Sequence, residues 1–185
     1  MTIKSLAIFC GSKSGDDPLF CAHARQLGFL LAEKNITLIY GGGNKGLMGA
    51  VANAVLEKNG RAVGIMPSIL TGPEHQHSGL TEMFEVEDMH SRKRMLYEKC
   101  DAALILPGGY GTMDEFFEIL TWNQLHIHDK RIFILNTSGF YDHLISFLHQ
   151  MEEHKFLYEK VVDKLTILNE PQEIVFEWND LAEKK

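Results

Sequence analysis

Pro107-Gly108-Gly109-Tyr110-Gly111-Thr112-Met113-Asp114-Glu115 follows the apolar run Ala102–Leu106 and precedes the helix-like run Phe116–Leu120. A strand, a glycine turn and a helix start, in that order, make an anion cradle. Glycines let the backbone approach a phosphate, and the first helical N–H groups point at it. Glu115 stands one turn inside that helix, so a carboxylate lies beside the cradle. A second segment, Asp88-Met89-His90-Ser91-Arg92-Lys93-Arg94, reads as a helix start capped by Asp88 or Ser91. Cations there oppose the helix dipole by about 0.3–1 kcal/mol each when exposed. A bound phosphate reverses the sign of that argument. An arginine and a glutamate over a phosphate cradle suit a reaction on a phosphorylated substrate.

The bland readings are specific too. Three basic residues also make an ordinary solvated turn. Thr112-x-x-Glu115 is a capping box, in which Thr112 caps the helix and Glu115 returns a bond to the backbone. Gly41-x-Gly43-x-x-Gly46 has the dinucleotide spacing, but the strand Arg61–Met66 does not end in the expected acidic residue. Gly46 and Gly49 then serve close helix–sheet packing. Gly46 is followed by Leu47-Met48, so no P-loop is present. His75-x-His77 and His126-x-His128 lack the spacing of a metal site, and no metal is expected. His143, His149 and His154 read as surface residues, and Trp122 and Trp178 as packing residues on helices.

The elements that position these residues alternate. Strands are expected at 3–10, 36–40, 61–66, 81–86, 102–106, 131–136 and 165–168. Helices are expected at 19–34, 47–58 (with Gly60 at its end), 89–99, 113–125, 141–154 and 171–182. The segment 67–79 is a loop. This pattern predicts an α/β fold, a Rossmann-like doubly wound parallel sheet with helices on both faces, in one domain spanning 1–185. Such sheets bind ligands at the carboxyl ends of their strands. Gly11-Ser12, Gly41-Gly42-Gly43 and Gly108-Gly109 all fall on that edge, as do the starts of the helices carrying Arg92 and Glu115. The two side chains should therefore meet from neighbouring helix N-termini.

The chain has 185 residues, 45% hydrophobic and 23% charged, with a formal net charge of -7. That charge argues against nonspecific nucleic-acid binding. No apolar run is long enough to span a membrane, and no signal peptide is recognised. Cys10, Cys21 and Cys100 are expected as reduced thiols in a cytoplasmic protein, Cys10 and Cys21 in or beside the core and neither a nucleophile.

Met89-His90-x-Arg92-Lys93 followed by Pro107-Gly108-Gly109-x-Gly111-Thr112-x-x-Glu115 resembles the Lonely Guy family, whose members are cytokinin riboside 5′-monophosphate phosphoribohydrolases. The resemblance extends to Phe9-Cys10-Gly11-Ser12, Tyr40–Gly43, Gly46–Gly49, Leu120-Thr121-Trp122-x-Gln124-Leu125 and Gly139–Asp142. It implies catalytic roles for Arg92 and Glu115. It implies substrate contacts from Met89, Lys93, Gly108, Gly109, Tyr110, Gly111, Thr112, Asp114, Thr121 and Glu74, and Ser12 and Gly43 join them at the glycine turns. The loop Gly72–His77 departs from the family pattern, as do Asn123 and His126. The implied reaction is hydrolysis of the N-glycosidic bond of a nucleoside 5′-monophosphate, AMP or a prenylated relative, with no cofactor. A homodimer is implied, and Phe116, Phe117 and Trp122 offer apolar surface for it. Nothing resembles a pyridoxal-phosphate lysine site, so decarboxylation is not expected. A nucleotide or molybdopterin-cofactor carrier without turnover is the second reading, and a nicotinamide oxidoreductase the third.

Overall fold

The computed structural model describes residues 2–70 and 76–176. The strands are β1 (Ser5–Phe9), β2 (Thr37–Tyr40), β3 (Ala62–Pro67), β4 (Glu82–Val86), β5 (Ala102–Ile105), β6 (Arg131–Leu135) and β7 (Leu165–Leu168). They form one sheet in the order β4-β3-β2-β1-β5-β6-β7, with every pairing parallel. The helices are α1 (Pro18–Glu33), α2 (Gly46–Glu57), α3 (Met89–Lys99), α4 (Tyr110–Gln124), α5 (Asp142–Glu153) and the short α6 (Val161–Lys164). One apolar cluster joins the sheet to α1 and α2. A second joins its other face to α3, α4 and α5. The doubly wound α/β architecture is therefore present. Its central strands read as continuous apolar runs because both faces are covered.

Strand order reverses at β1. The chain moves outward through β2, β3 and β4, then returns along α3 to place β5 beside β1. The turns leaving β1 and β5 thus diverge at the switch point, where open α/β sheets form their crevice. The ladder continues one step into both turns. Leu106 N–H donates to Phe9 O (2.9 Å) and Gly11 N–H to Pro107 O (3.0 Å). Tyr141 Oη donates to Leu106 O (2.7 Å) and holds the same edge from below.

Four features of the helices depart from the sequence reading, each for a local reason. Helix α4 begins at Tyr110, three residues before the expected Met113, and Gly109 occupies its N-cap without a side-chain bond. After α2 the left-handed residue is Asn59 (φ 57°), not Gly60. Gly60 is instead packed tightly, since a Cβ there would lie 2.7 Å from that of Ala32. Gly46 and Gly49 serve close approach to loops, not to the sheet. A Cβ on Gly46 would stand 2.4 Å from the Ser12 carbonyl carbon, and one on Gly49 2.2 Å from Asn44 O. The helix expected from 171 is a single 3-10 turn, Pro171–Glu173, and 174–176 belong to no regular element. Its remainder, with Trp178, lies outside the described residues.

Gly46 combines that contact with φ 59°. Gly46→Ala is expected to destabilise the fold by well over about 1 kcal/mol, since the strained backbone and the Ser12 loop must both yield. A urea-unfolding free energy lowered by less than that would place the loop elsewhere.

Candidate active site

Helix α3 is set by Asp88, whose Oδ1 accepts from Ser91 N–H (2.7 Å). That places Arg92 in its second turn, where only Leu96 and Tyr97 of this polar helix are buried. Arg92 Nε donates to Ile65 O at the end of β3 (3.2 Å). Its guanidinium also lies against Gly41, where a Cβ would meet a terminal nitrogen at 2.2 Å. The fork is thereby aimed at α4, and Arg92 Nη2 lies 3.6 Å from Glu115 Oε1. Both side chains are nearly covered, at 14% and 11% exposure. The sequence expectation that they meet from neighbouring helix starts holds.

With Gly109 at the N-cap, Thr112 sits inside the first turn and does not cap it. The capping-box reading of Thr112 and Glu115 fails for that reason. Thr112 is buried and its hydroxyl lies over Gly108, where a Cβ would approach it to 2.1 Å. Glu115 is likewise 8% exposed, with no capping function to explain it. Burial pushes its carboxyl up to about 7, against the opposing pull of Arg92; Asp114 and Glu118 raise it and Lys93 lowers it. Burial, not the guanidinium, therefore governs its ionisation. A carboxylic acid poised near neutrality in a cleft is a functional-site signature.

One cleft of about 360 Å³ gathers Ser12, Arg92, Gly109, Tyr110, Gly111, Thr112 and Glu115, together with Ile8, Cys10, Gly11, Gly41 and Met48. A neighbouring hollow beyond Gly109 takes in Gly108, Lys13, Phe20 and Phe140. The first N–H groups of α4 open onto this edge with no side chain capping them. Helix α2 differs. Its Leu47 and Met48 N–H groups donate to Gly11 O (3.1 and 3.4 Å), so its start is engaged by the protein. Of the glycines at 41, 43 and 46, Gly41 lines the cleft, and Gly46 packs against the Ser12 loop.

Met89, Lys93, Gly43, Asp114 and Thr121, also expected as contacts, are not among the residues that line the cleft. Met89 is at the mouth, its Sδ 3.9 Å from Arg92 Nη1. Lys93 turns to Asp114 (3.2 Å) and Glu118 (3.1 Å), behind Glu115. Gly43 bridges to Gln76 and accepts from Tyr40 Oη (3.2 Å). Thr121 donates to Phe117 O three turns along α4. Glu74 and His75 lie outside the described residues. Of the three residues expected to offer apolar surface, Phe116 is fully buried, while Phe117 and Trp122 are half-buried.

Gly41 and Cys10 were not singled out as site residues, though both stand in glycine-edge segments quoted for the resemblance. Their role follows only from the register of β1 and β2. Cys10 is buried and desolvation pushes its thiol far up, with Glu115 adding to the effect, so it is no nucleophile. Cys100 is buried and Cys21 half-buried. His77 hydrogen-bonds Asn53 (3.0 Å), and among the described residues no cluster of three metal-ligating side chains exists. No helix among them is long and apolar enough to cross a membrane.

A family model described as "Possible lysine decarboxylase" matches residues 48–177. The cytokinin riboside 5′-monophosphate phosphoribohydrolase of Rhodococcoides fascians is 41% identical over 84% of this chain and 79% of its own length. The enzyme of that name from Arabidopsis thaliana, LOG2, is 40% identical over 83% of this chain and 72% of its own. The chain belongs to the Lonely Guy family. Among solved structures, the molybdenum cofactor binding protein of Rippkaea orientalis is similar at TM-score 0.69 and 20% identity, over 93% of each chain. The Moco carrier protein of Chlamydomonas reinhardtii gives 0.68 and 15%, over 91% of this chain and 90% of the other. These two likenesses concern the fold. The Lonely Guy relatives share the sequence as well, and their names carry no decarboxylase activity.

Proposed function

We propose that this Lonely Guy protein hydrolyses the N-glycosidic bond of an adenine-type nucleoside 5′-monophosphate, releasing the free base and ribose 5-phosphate. The observation that carries the reading is the covered Arg92–Glu115 pair, 3.6 Å apart, beside the uncapped start of α4. The names of the relatives support the same reaction class.

The 5′-phosphate docks on the N–H groups that open α4, where the helix dipole favours an anion. That contact is remote from the reacting bond, so its binding energy serves to position C1′. As the C1′–N bond breaks, its electron pair leaves with the base and the sugar becomes oxocarbenium-like. The Glu115 carboxylate stabilises that charge and takes a proton from the water whose oxygen bonds to C1′. The proton then passes to solvent or to the departing base. Arg92 remains a cation throughout, since a guanidinium does not deprotonate at neutral pH. It holds phosphate or sugar and favours the ionised carboxylate.

Because the ionised form of Glu115 is the working one, kcat/KM should rise with pH through about 7 and fall tenfold per unit below it. A flat profile between pH 5 and 8 would show that another group does the work. Gly41→Ala is expected to leave the fold intact, because Gly41 has no positive φ, and to push the Arg92 guanidinium aside. A displacement of that size costs about 10²-fold in kcat/KM. Wild-type rates in Gly41→Ala would detach the guanidinium's position from turnover.

A further inference from the structure

The loop between β3 and β4 returns to the sheet edge through two residues outside the cleft. Gln76 forms an isolated antiparallel bridge with Gly43. His77 N–H donates to Gly42 O (2.9 Å). The half-buried His77 side chain secures that strip through both of its ring nitrogens. Nδ1 accepts from Gly79 N–H (3.1 Å), so the ring proton sits on Nε2 and is donated to Asn53 Oδ1 on α2 (3.0 Å). Burial pulls the imidazole below its ordinary 6.5, in keeping with that uncharged form.

The turn held in this way is the one that carries Gly41. Gly42 is left-handed (φ 78°), and a Cβ on Gly64 of β3 would stand 2.8 Å from its Cα, so the turn lies hard against the sheet. Tyr40 Oη donates to Gly43 O (3.2 Å). The strip at 76–77 closes the turn on another side. Gly41 stands behind the Arg92 guanidinium, whose Nε is fixed on Ile65 O and whose Nη2 faces Glu115. Resting on the function proposed above, we infer that His77 is a positioning residue: by pinning the β3–β4 loop between α2 and the turn leaving β2, it keeps Gly41 against Arg92 and the guanidinium aimed at Glu115. Neither His77 nor Asn53 lines the cleft, so both act without touching a reacting atom.

Asn53→Ala removes the anchor of this latch at an exposed helical position where alanine favours the helix, so the fold is retained. His77→Ala removes the ring itself. Each should lower kcat about tenfold with KM little changed, since the α4 cradle for the phosphate is untouched. The double variant should lose no more than His77→Ala alone, because both substitutions open one latch. His77→Gln keeps a donor for Asn53 and should recover most of the rate, except where Asn53 is also replaced by alanine. With Gly41→Ala already displacing the guanidinium, His77→Ala should cost little more, whereas a general loss of stability would multiply the two effects.

The position of Arg92 is readable without turnover. Nitrogen-15 NMR follows its Nε–Hε group, assigned by its loss in Arg92→Gln, and the bond to Ile65 O slows exchange of that proton with water. Exchange about tenfold faster is expected in both Asn53→Ala and His77→Ala. Losses that multiply in the Asn53–His77 double variant would overturn the inference. So would an Arg92 signal unmoved while kcat falls, or wild-type kinetics in both single variants. If His77→Ala fails to fold, Asn53→Ala alone carries the same test. Absence of base release by the wild type would sink the proposed reaction, while the Arg92 signal would still decide the role of His77.

Discussion

Glu115→Gln should lose base release by about 10³-fold while still binding the product ribose 5-phosphate. Gln keeps the shape and can accept a hydrogen bond from Arg92, but it carries no charge and takes no proton. The same substitution should stabilise the protein at alkaline pH. Burial raises the folded carboxyl from its ordinary 4.5 to about 7. Between those values the folded state holds a proton that the unfolded chain has lost, so stability falls as pH rises through this window. Above it the cost is complete, on the order of 3 kcal/mol as an upper estimate. Thermal unfolding at pH 8 should therefore show the variant melting higher than wild type, with the difference closing near pH 4. An active variant, or one less stable at pH 8, would return Glu115 to a structural role.

Arg92→Gln should lower kcat/KM by a comparable factor, about 10³, through two separable effects. The first is loss of the cation that meets phosphate or sugar, which acts at every pH. The second is loss of the strongest influence keeping Glu115 acidic. The acidic limb should therefore move to higher pH as the plateau falls. Arg92→Lys should recover part of the charge effect, but a point charge cannot reproduce the fork that spans Ile65 O, Gly41 and Glu115. A lowered plateau with an unmoved limb would separate Arg92 from the ionisation of Glu115.

Much of this arrangement was legible before any coordinates. The apolar runs that became β1, β2, β3, β5 and β6 are long because both sheet faces are covered, and that pattern identifies a parallel sheet. Asp88 marks a helix start because it acts as a cap, as Asp17 does for α1. The meeting of Arg92 and Glu115 followed from topology alone, since α3 and α4 both begin at the same sheet edge.

The failures have physical causes. Glycine lowers helix propensity, so Gly109 to Thr112 read as a turn in the sequence, although α4 begins at Tyr110. A helix starting at Met113 would leave Thr112 outside it in the capping position, whereas the start at Tyr110 encloses it. Lys93 and Asp114 share the motif with Arg92 and Glu115, yet side-chain direction separates them. Arg92 points into the cleft, and Lys93, one residue on, points along α4. The role of Gly41 is not legible in the sequence, because its need for a bare Cα comes from a guanidinium 51 positions later in the chain. The segment from Pro171 has helical composition, but its described part packs on the core as a single turn and forms no further helix.

Incubating the purified protein with AMP and, separately, with isopentenyladenosine monophosphate tests the central claim most directly. Chromatography would follow the free base and ribose 5-phosphate, with Glu115→Gln as the control. Equimolar base and sugar phosphate from the wild type, and none from the variant, is the predicted result, and the ratio of rates ranks the two substrates. Tight binding of either nucleotide without release of base would contradict it and leave a nucleotide carrier.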